Sequence, residues 1–333
     1  MVSVGVLGFG AYVPSRVVTN DEVERETGFC RESKKGRSLA EWVERHHGGV
    51  ERRRAAPDQA TSDLVVEAVT EALGDAAMSA HDVELLVLST YTSDFRIPNS
   101  AGEVQTKLSM DGKFLQLDAA CTGLLDAVHV GSALVETGQY GSALVACGDS
   151  MEFLMAPDDW LSRTVFGDGA SALVLGEVDD GYGFIALQTG SDGELGHYVK
   201  APGGGSHDPE AVRDDLYVRP LYSEIHSWGV DRMVHATKLV LDQAGLTIDD
   251  VNWVVPHQAS RPIVRAAGRA LGVSDDRVVT VYERYGNTSG SSIGIAFYEA
   301  ARSGRFQRGD LILLPAVGAG MAWSAALYRW PGS

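Results

Sequence analysis

The residues best suited to chemistry lie in three separated segments. The first is Leu117-Asp118-Ala119-Ala120-Cys121-Thr122-Gly123-Leu124-Leu125. An apolar, strand-like run from Phe114 to Leu117 breaks into small residues. A helix-like run follows, from Thr122 to about Glu136. Cys121 is therefore expected at a helix tip, where free N–H groups and the helix dipole favour negative charge. A thiol there is expected to ionise more readily and act as a nucleophile. The second segment, Val254-Val255-Pro256-His257-Gln258-Ala259, reads as a strand ending in a histidine. The third, Tyr285-Gly286-Asn287-Thr288-Ser289-Gly290-Ser291-Ser292, reads as a small-residue turn carrying an asparagine. A cysteine whose His and Asn partners are remote in sequence but close in space is a pattern of nucleophilic catalysis.

The elements that must position these residues alternate. Helical spacing of apolar residues covers 63–77, with Thr61 and Ser62 as caps. Strand-like runs at 83–89, 114–117, 142–147, 170–175 and 183–189 are interleaved with helix-like runs at 99–110 and 122–136. The same grammar returns as helices at 231–244, 261–271 and 292–303, and strands at 253–256, 278–282, 310–315 and 322–330. Strands alternating with helices imply α/β layers around buried sheets. The element order suggests two similar halves, 1–178 carrying the cysteine and 179–333 carrying His257 and Asn287. The Gly-rich, aperiodic stretch 193–222 reads as a surface loop or lobe.

Composition narrows the function classes. The chain has 333 residues, is 44% hydrophobic and carries a net charge of −17. That charge disfavours non-specific binding to nucleic acid or an anionic membrane. No run of about 18 apolar residues is present, so no membrane span is expected, and the N-terminal residues show no signal-peptide pattern. The three cysteines, Cys30, Cys121 and Cys147, suit neither a disulfide framework nor a zinc site. A reducing cytoplasm is the expected location. Cys147, within a buried strand, is expected to be inert.

Taken in order, these motifs resemble the β-ketoacyl-acyl carrier protein synthase III group of the thiolase superfamily. The resemblance runs nearly end to end. It includes Gly10–Asn20, Asp118–Gly123, Phe166-Gly167-Asp168-Gly169-Ala170, Pro256–Ala259, Gly286–Ser289 and Gly318-Ala319-Gly320. It implies a five-layer αβαβα core of two similar halves, usually a homodimer. By resemblance Cys121 accepts an acyl group from a thioester, the backbone amides of Cys121 and Ala319 form the oxyanion hole, and His257 and Asn287 hold the enolate left when a malonyl-type extender loses CO2. Two such donors stabilise charge where it develops. No cofactor is implied, since coenzyme A or phosphopantetheine thioesters are substrates.

Other positions depart from the family pattern. Val317 stands where fatty-acid starter synthases carry phenylalanine. Ile97 stands where an aromatic residue often reaches the neighbouring subunit's acyl pocket. Trp42 matches a tryptophan that stacks on the adenine of coenzyme A, and Arg45 is the best candidate for a nearby phosphate contact. Arg163 and Arg261 are displaced from the arginines that hold coenzyme A phosphates in relatives, so the donor is expected either on a carrier protein or on coenzyme A held differently. Arg261, Arg265 and Arg269 are spaced i, i+4, i+8 on one helix face, an expected docking stripe for an acidic carrier protein. Two alternatives use the same Cys–His pair: acyl transfer to an alcohol or amine, and non-decarboxylative Claisen condensation, for which Asp94 is the nearest carboxylate. A specialised lipid or polyketide pathway is expected over housekeeping fatty-acid synthesis.

Overall fold

The computed structural model describes residues 2–332. One sheet uses only strands from the first half, in the order Val4–Tyr12, Gly169–Glu177, Ser142–Asp149, Leu85–Ser89, Lys113–Leu117. The second uses Trp253–Val254, Leu311–Gly318, Ala322–Arg329 and Gly183–Ser191. Parallel pairing occurs where a helix intervenes, as between Leu85–Ser89 and both Lys113–Leu117 and Ser142–Asp149. The last two long strands form an antiparallel pair with Leu314 opposite Ala326.

Helices separate and cover the sheets, giving the five-layer thiolase-type α/β fold. Gly123–Glu136 and Ser291–Arg302 fill the space between the sheets. Both are apolar on more than one face, and Leu124, Leu125, Ile293, Ile295 and Phe297 belong to the central core. Helices buried on both sides need such sequences. Thr61–Asp75 and Ser100–Leu108 cover the outer face of the first sheet through Leu64, Val65, Ala68 and Val104. Tyr222–Ala244 and Arg261–Ala270 cover the second through Ala236, Val240 and Val264. Among the described residues no helix is long and apolar enough to cross a membrane, and no cluster of His, Cys, Asp and Glu could hold a metal.

Three sequence expectations are corrected. Thr61 and Ser62 are helical, and Ala60 occupies the cap position, its N–H bound by Asp63 at 2.8 Å. The strand expected at 278–282 is reduced to one bridge between Val254 and Val278, and Tyr282 opens a short helix, Tyr282–Tyr285. The helix expected at 231 begins at Tyr222. The stretch 193–222 contains two 3-10 turns and a two-stranded ribbon, Val199–Lys200 with Arg219–Pro220, and it roofs a cavity.

Candidate active site

Three turns converge on that cavity. Cys121 lies in a 3-10 turn, Ala120–Thr122, between the strand Lys113–Leu117 and the helix Gly123–Glu136. His257 follows the end of the strand Trp253–Val254, its N–H held by the Pro315 carbonyl at 2.9 Å. Asn287 precedes the helix Ser291–Arg302, its N–H held by the Val165 carbonyl at 2.8 Å. All three side chains, with Ala319 and Val317, line one cavity of about 410 Å³. Non-glycine residues with positive φ mark the Cys121 turn, the Asn287 turn and the turn that carries Ala319: Ala120 at 48°, Ser289 at 57° and Met321 at 53°. Such conformations cost about 1 kcal/mol or more each and concentrate where a site is held in shape. The sequence reading did not use them.

Hydrogen bonds fix which atoms face the cavity. Gln258 N–H donates to Ser292 Oγ at 3.1 Å, and Ser292 Oγ lies 2.7 Å from His257 Nδ1. Ser292 Oγ keeps its own proton free to donate to Nδ1, and in that arrangement the ring proton sits on Nε2. Ser289 N–H donates to Asn287 Oδ1 at 2.9 Å, which leaves Nδ2 as the free donor. In that tautomer the site offers two neutral donors, His257 Nε2–H and Asn287 Nδ2–H. Burial holds the His257 imidazole down at about 3, with the Ser289 carbonyl opposing, so it stays neutral at ordinary pH. Ser292 is a functional residue that the sequence reading treated only as part of a turn.

The surroundings of Cys121 oppose the ionised thiol expected at a helix tip. Burial pushes the Cys121 thiol up to about 12. The Ser289 hydroxyl and the backbone amides of Ala319 and Cys121 act the other way, and Asp149 adds to the rise. The helix tip is present, but an apolar shell strips water from the sulfur, and that outweighs the dipole. The same two amides are those that the family resemblance assigns to an oxyanion hole.

The remaining expected residues divide. Trp42 lines the cavity, but His46 lies flat on its ring, with centroids 3.9 Å apart and planes 11° apart. Trp160 meets the same ring edge-on at 4.9 Å. Arg45 is exposed and lies outside the cavity wall. Ile97 is 90% exposed, on a loop beside Phe95. Arg163 is corrected: its guanidinium is buried between Glu26, at 2.7 Å, and Glu152, at 2.6 Å, both also paired with Arg54. It is part of a closed ion-pair network and faces no ligand. Arg261 is likewise bound to Glu44 at 3.1 Å and Glu283 at 3.4 Å. Arg265 and Arg269 remain exposed on the same helix. Asp94 accepts hydrogen bonds from Ser62 and Ser100 at two helix starts, and it does not line the cavity. Among the described residues no Asp or Glu lines this cavity.

His47, behind Trp42, gives a pH prediction. Its Nε2 contacts Thr164 Oγ1 at 3.1 Å, and Thr164 donates its own proton to the Leu161 carbonyl at 2.8 Å, so Nε2 is the donor. Tyr282 OH donates to Nδ1 at 2.9 Å. Burial, helped by Arg52, holds His47 down at about 3. Its folded value lies below the unfolded value of about 6.5, so only the unfolded chain takes up a proton between those pH values. Stability from this site is complete above pH 6.5 and falls on acidification, by about 2 kcal/mol at pH 5. Asp168, raised to about 6 by burial, titrates in the same window with opposite sign, so the test compares variants. In urea unfolding, His47→Gln is expected to lose less stability than the parent between pH 7 and pH 5, by about 2 kcal/mol.

A layered α/β core with Cys121, His257 and Asn287 on the wall of one largely apolar cavity fits an enzyme of the thiolase type. Residues 115–193 match the 3-oxoacyl-[acyl-carrier-protein (ACP)] synthase III family, and residues 241–330 match its C-terminal part. The chain is 35% identical to the β-ketoacyl-[acyl-carrier-protein] synthase III of Caldanaerobacter subterraneus over 99% of this chain and 98% of that one. It is 37% identical to the enzyme of the same name from Desulfitobacterium hafniense, again over 99% and 98%. The crystal structure of the synthase III from Thermus thermophilus superposes with a TM-score of 0.90 at 34% identity, over 99% of this chain and 100% of that one. The priming β-ketosynthase of the R1128 polyketide pathway superposes with a TM-score of 0.89 at 29% identity, over 99% and 97%. The chain belongs to the 3-oxoacyl-acyl carrier protein synthase III family and is a condensing acyltransferase.

Proposed function

We propose that Cys121 accepts an acyl group from a carrier-borne thioester and that His257 and Asn287 drive its decarboxylative condensation with a malonyl-type thioester, giving a β-ketoacyl product. The observation that carries this reading is the orientation of His257 Nε2–H and Asn287 Nδ2–H as neutral donors on the wall that holds Cys121. The enolate oxygen formed on loss of CO2 is anionic, and preformed donors stabilise it without reorganisation. The carbanion then attacks the acyl-Cys121 carbonyl, whose oxygen takes the amides of Cys121 and Ala319. A resident cofactor has no step in this scheme.

Three features support a phosphopantetheine donor on a protein over coenzyme A. The cavity wall contains no Lys, Arg, Asp or Glu. Arg163 and Arg261 are spent on carboxylates. His46 already covers a face of Trp42, where an adenine would have to stack. Arg265 and Arg269, exposed near the entrance helix that begins at Arg261, suit an acidic carrier surface. Exposed Phe95 and Ile97 support a homodimer contact. Val317 and the likeness to a polyketide priming synthase support a specialised lipid or polyketide pathway, and the free cysteines Cys30, Cys121 and Cys147 suit a reducing cytoplasm.

Intact-mass measurement with matched acyl-CoA, acyl-pantetheine and acyl-carrier thioesters tests the donor. An adduct on Cys121 is expected with acyl-carrier at a kcat/KM at least about tenfold above acyl-CoA, a difference of about 1.4 kcal/mol. Arg265→Glu is expected to raise KM for the carrier substrate and leave the pantetheine mimic unchanged. Equal rates for coenzyme A and carrier donors would reject the carrier assignment.

A further inference from the structure

The arginine run Arg52-Arg53-Arg54 takes no part in the scheme so far. It lies on the strand Glu51–Arg54, whose alternation turns Arg52 and Arg54 inward and leaves Arg53 half-buried. Arg54 is paired with Glu26 and Glu152. Arg52 is held differently. It is fully inaccessible, and every oxygen it bonds is neutral. Its Nη1 donates to the Val18 carbonyl at 3.1 Å, and its Nη2 donates to Asn20 Oδ1 at 2.7 Å and to the Thr164 carbonyl at 2.9 Å. Its Nε–H is buried with no hydrogen-bond partner. A guanidinium buried without a carboxylate is costly and calls for an explanation.

The contacts beyond Thr164 supply one. The next carbonyl along, that of Val165, accepts from Asn287 N–H at 2.8 Å, and the Asn287 carbonyl accepts from Gly167 N–H at 3.1 Å. Both main-chain groups of Asn287 are thus bonded to the segment 165–167, with Phe166 and Asn287 paired as a parallel bridge. The stem of Arg52 lies against both segments. Its Cβ would be 3.1 Å from a Cβ placed on Gly167 and 3.5 Å from one placed on Gly286. Asn287 Oδ1 is fixed by Ser289 N–H within the same turn, so the side-chain amide moves with its backbone. His257 is held by the Pro315 carbonyl and Ser292 instead, and Cys121 sits in a separate turn. We propose that Arg52 is the positioning residue of Asn287. By clamping the Thr164 peptide to Val18 and Asn20, it sets where Asn287 Nδ2 meets the enolate oxygen. A planar fork that binds acceptors on three segments fixes geometry in a way that a point charge on a flexible stem does not. Arg52 touches no substrate and acts through Val165 and Asn287 alone, so its influence is confined to the second half-reaction.

Arg52→Lys tests this, because it keeps the charge and most of the stem but removes the fork. CO2 release from a malonyl-carrier thioester is expected to fall by at least about tenfold, since small displacements in a preorganised site are expensive. Acylation of Cys121, followed by intact mass, is expected to stay within about twofold of the parent. Hydrogen exchange read by peptide mass is expected to quicken by at least about tenfold in peptides spanning 164–168 and 285–289, with the Cys121 peptide unchanged. In an Asn287→Ala background, Arg52→Lys is expected to cost no further CO2 release, because the group it positions is gone. Equal losses in both half-reactions would overturn the proposal, as would multiplying losses in the double variant, since either result marks Arg52 as general support for the fold. Parent-like CO2 release in folded Arg52→Lys would overturn it too. If Arg52→Lys does not fold, Asn20→Ala decides: it frees the guanidinium from one acceptor and is expected to show the same split at about threefold or more. The inference rests on the assignment of Asn287 to decarboxylation. A parent protein that releases no CO2 would remove that assignment, and the exchange data then decide whether Arg52 holds the Asn287 turn: quickening confined to 164–168 and 285–289 supports the clamp, and parent-like exchange rejects it.

Discussion

Asn287→Ala is expected to lose condensation by about 10²–10³-fold while Cys121 still takes up its acyl group at nearly the parent rate. The two half-reactions place charge on different oxygens. In the proposed scheme acylation develops an oxyanion on the donor carbonyl, held by the amides of Cys121 and Ala319. Decarboxylation develops it on the extender's thioester oxygen, held by His257 and Asn287. Asn287 Nδ2 is a free donor only because Ser289 N–H occupies Oδ1, so alanine removes one of two donors from the second step alone. His257 keeps its tautomer through Ser292 and supplies the residual rate. The measurement is a pair: the acyl adduct by intact mass and CO2 release from a malonyl-carrier thioester. Parallel losses in both would reject the division of labour. An unchanged CO2 rate would remove Asn287 from the enolate site.

Cys121, His257 and Asn287 were legible because each follows an apolar or β-like run broken abruptly by small residues. That pattern depends on local backbone preference, which a sequence displays directly. The thiol's state was not legible. The helix tip is local, but the shell that desolvates the sulfur gathers from distant segments, including Tyr91, Val317 and Met321. The misplaced strand at 278–282 has an equally concrete cause. Val278-Val279-Thr280-Val281-Tyr282 has the residue types of a strand, yet its hydrogen bonds are taken by a side chain. Gln258 Nε2 donates to the Val279 carbonyl at 3.2 Å, and Gln258 Oε1 accepts from Val281 N–H at 2.9 Å and Tyr282 N–H at 3.2 Å. A buried glutamine stands in for a neighbouring strand. The early start of the helix at Tyr222 escaped for the opposite reason. Ser223, Ser227 and Gly229 weaken the local helical preference, and the turn forms because Tyr222, Ile225 and Trp228 close the cavity, with Tyr222 OH 2.9 Å from Ser162 Oγ.

Arg163 shows how a motif can mislead. By resemblance it is a substrate-binding candidate, although displaced from the arginines that hold phosphates in relatives. The fold instead places Glu26 and Glu152 on either side of it. A guanidinium so buried needs carboxylate partners, because an uncompensated charge there costs several kcal/mol. A phosphate could recruit it only by dismantling the network that also holds Arg54. The absence of a free arginine at this point and the occupied face of Trp42 bear on the same question, the identity of the donor, and they do so through independent contacts.

Gly318→Ala is the complementary test, because it is expected to damage the step that Asn287→Ala spares. Gly318 ends the strand Leu311–Gly318 and precedes Ala319. A Cβ on Gly318 would lie 2.9 Å from Cys121 N and 3.1 Å from Thr122 N. Both are backbone atoms at the head of a helix, so no side chain can swing aside. Relief must come from separating the strand end from the Cys121 turn, which spreads the Ala319 and Cys121 amides. A displacement of order 1 Å in a preorganised site costs about 10²-fold, and a lost oxyanion donor costs a similar factor. Both acylation and condensation form a tetrahedral oxyanion at this place, so adduct formation is expected to fall by about 10²-fold and overall turnover by at least as much. The stability cost is expected to be smaller, since the turn borders a cavity into which it can shift. Intact-mass kinetics and a thermal midpoint measured together check this. Parent-like acylation in a folded Gly318→Ala protein would show that the close approach of these two backbones does not build the oxyanion hole.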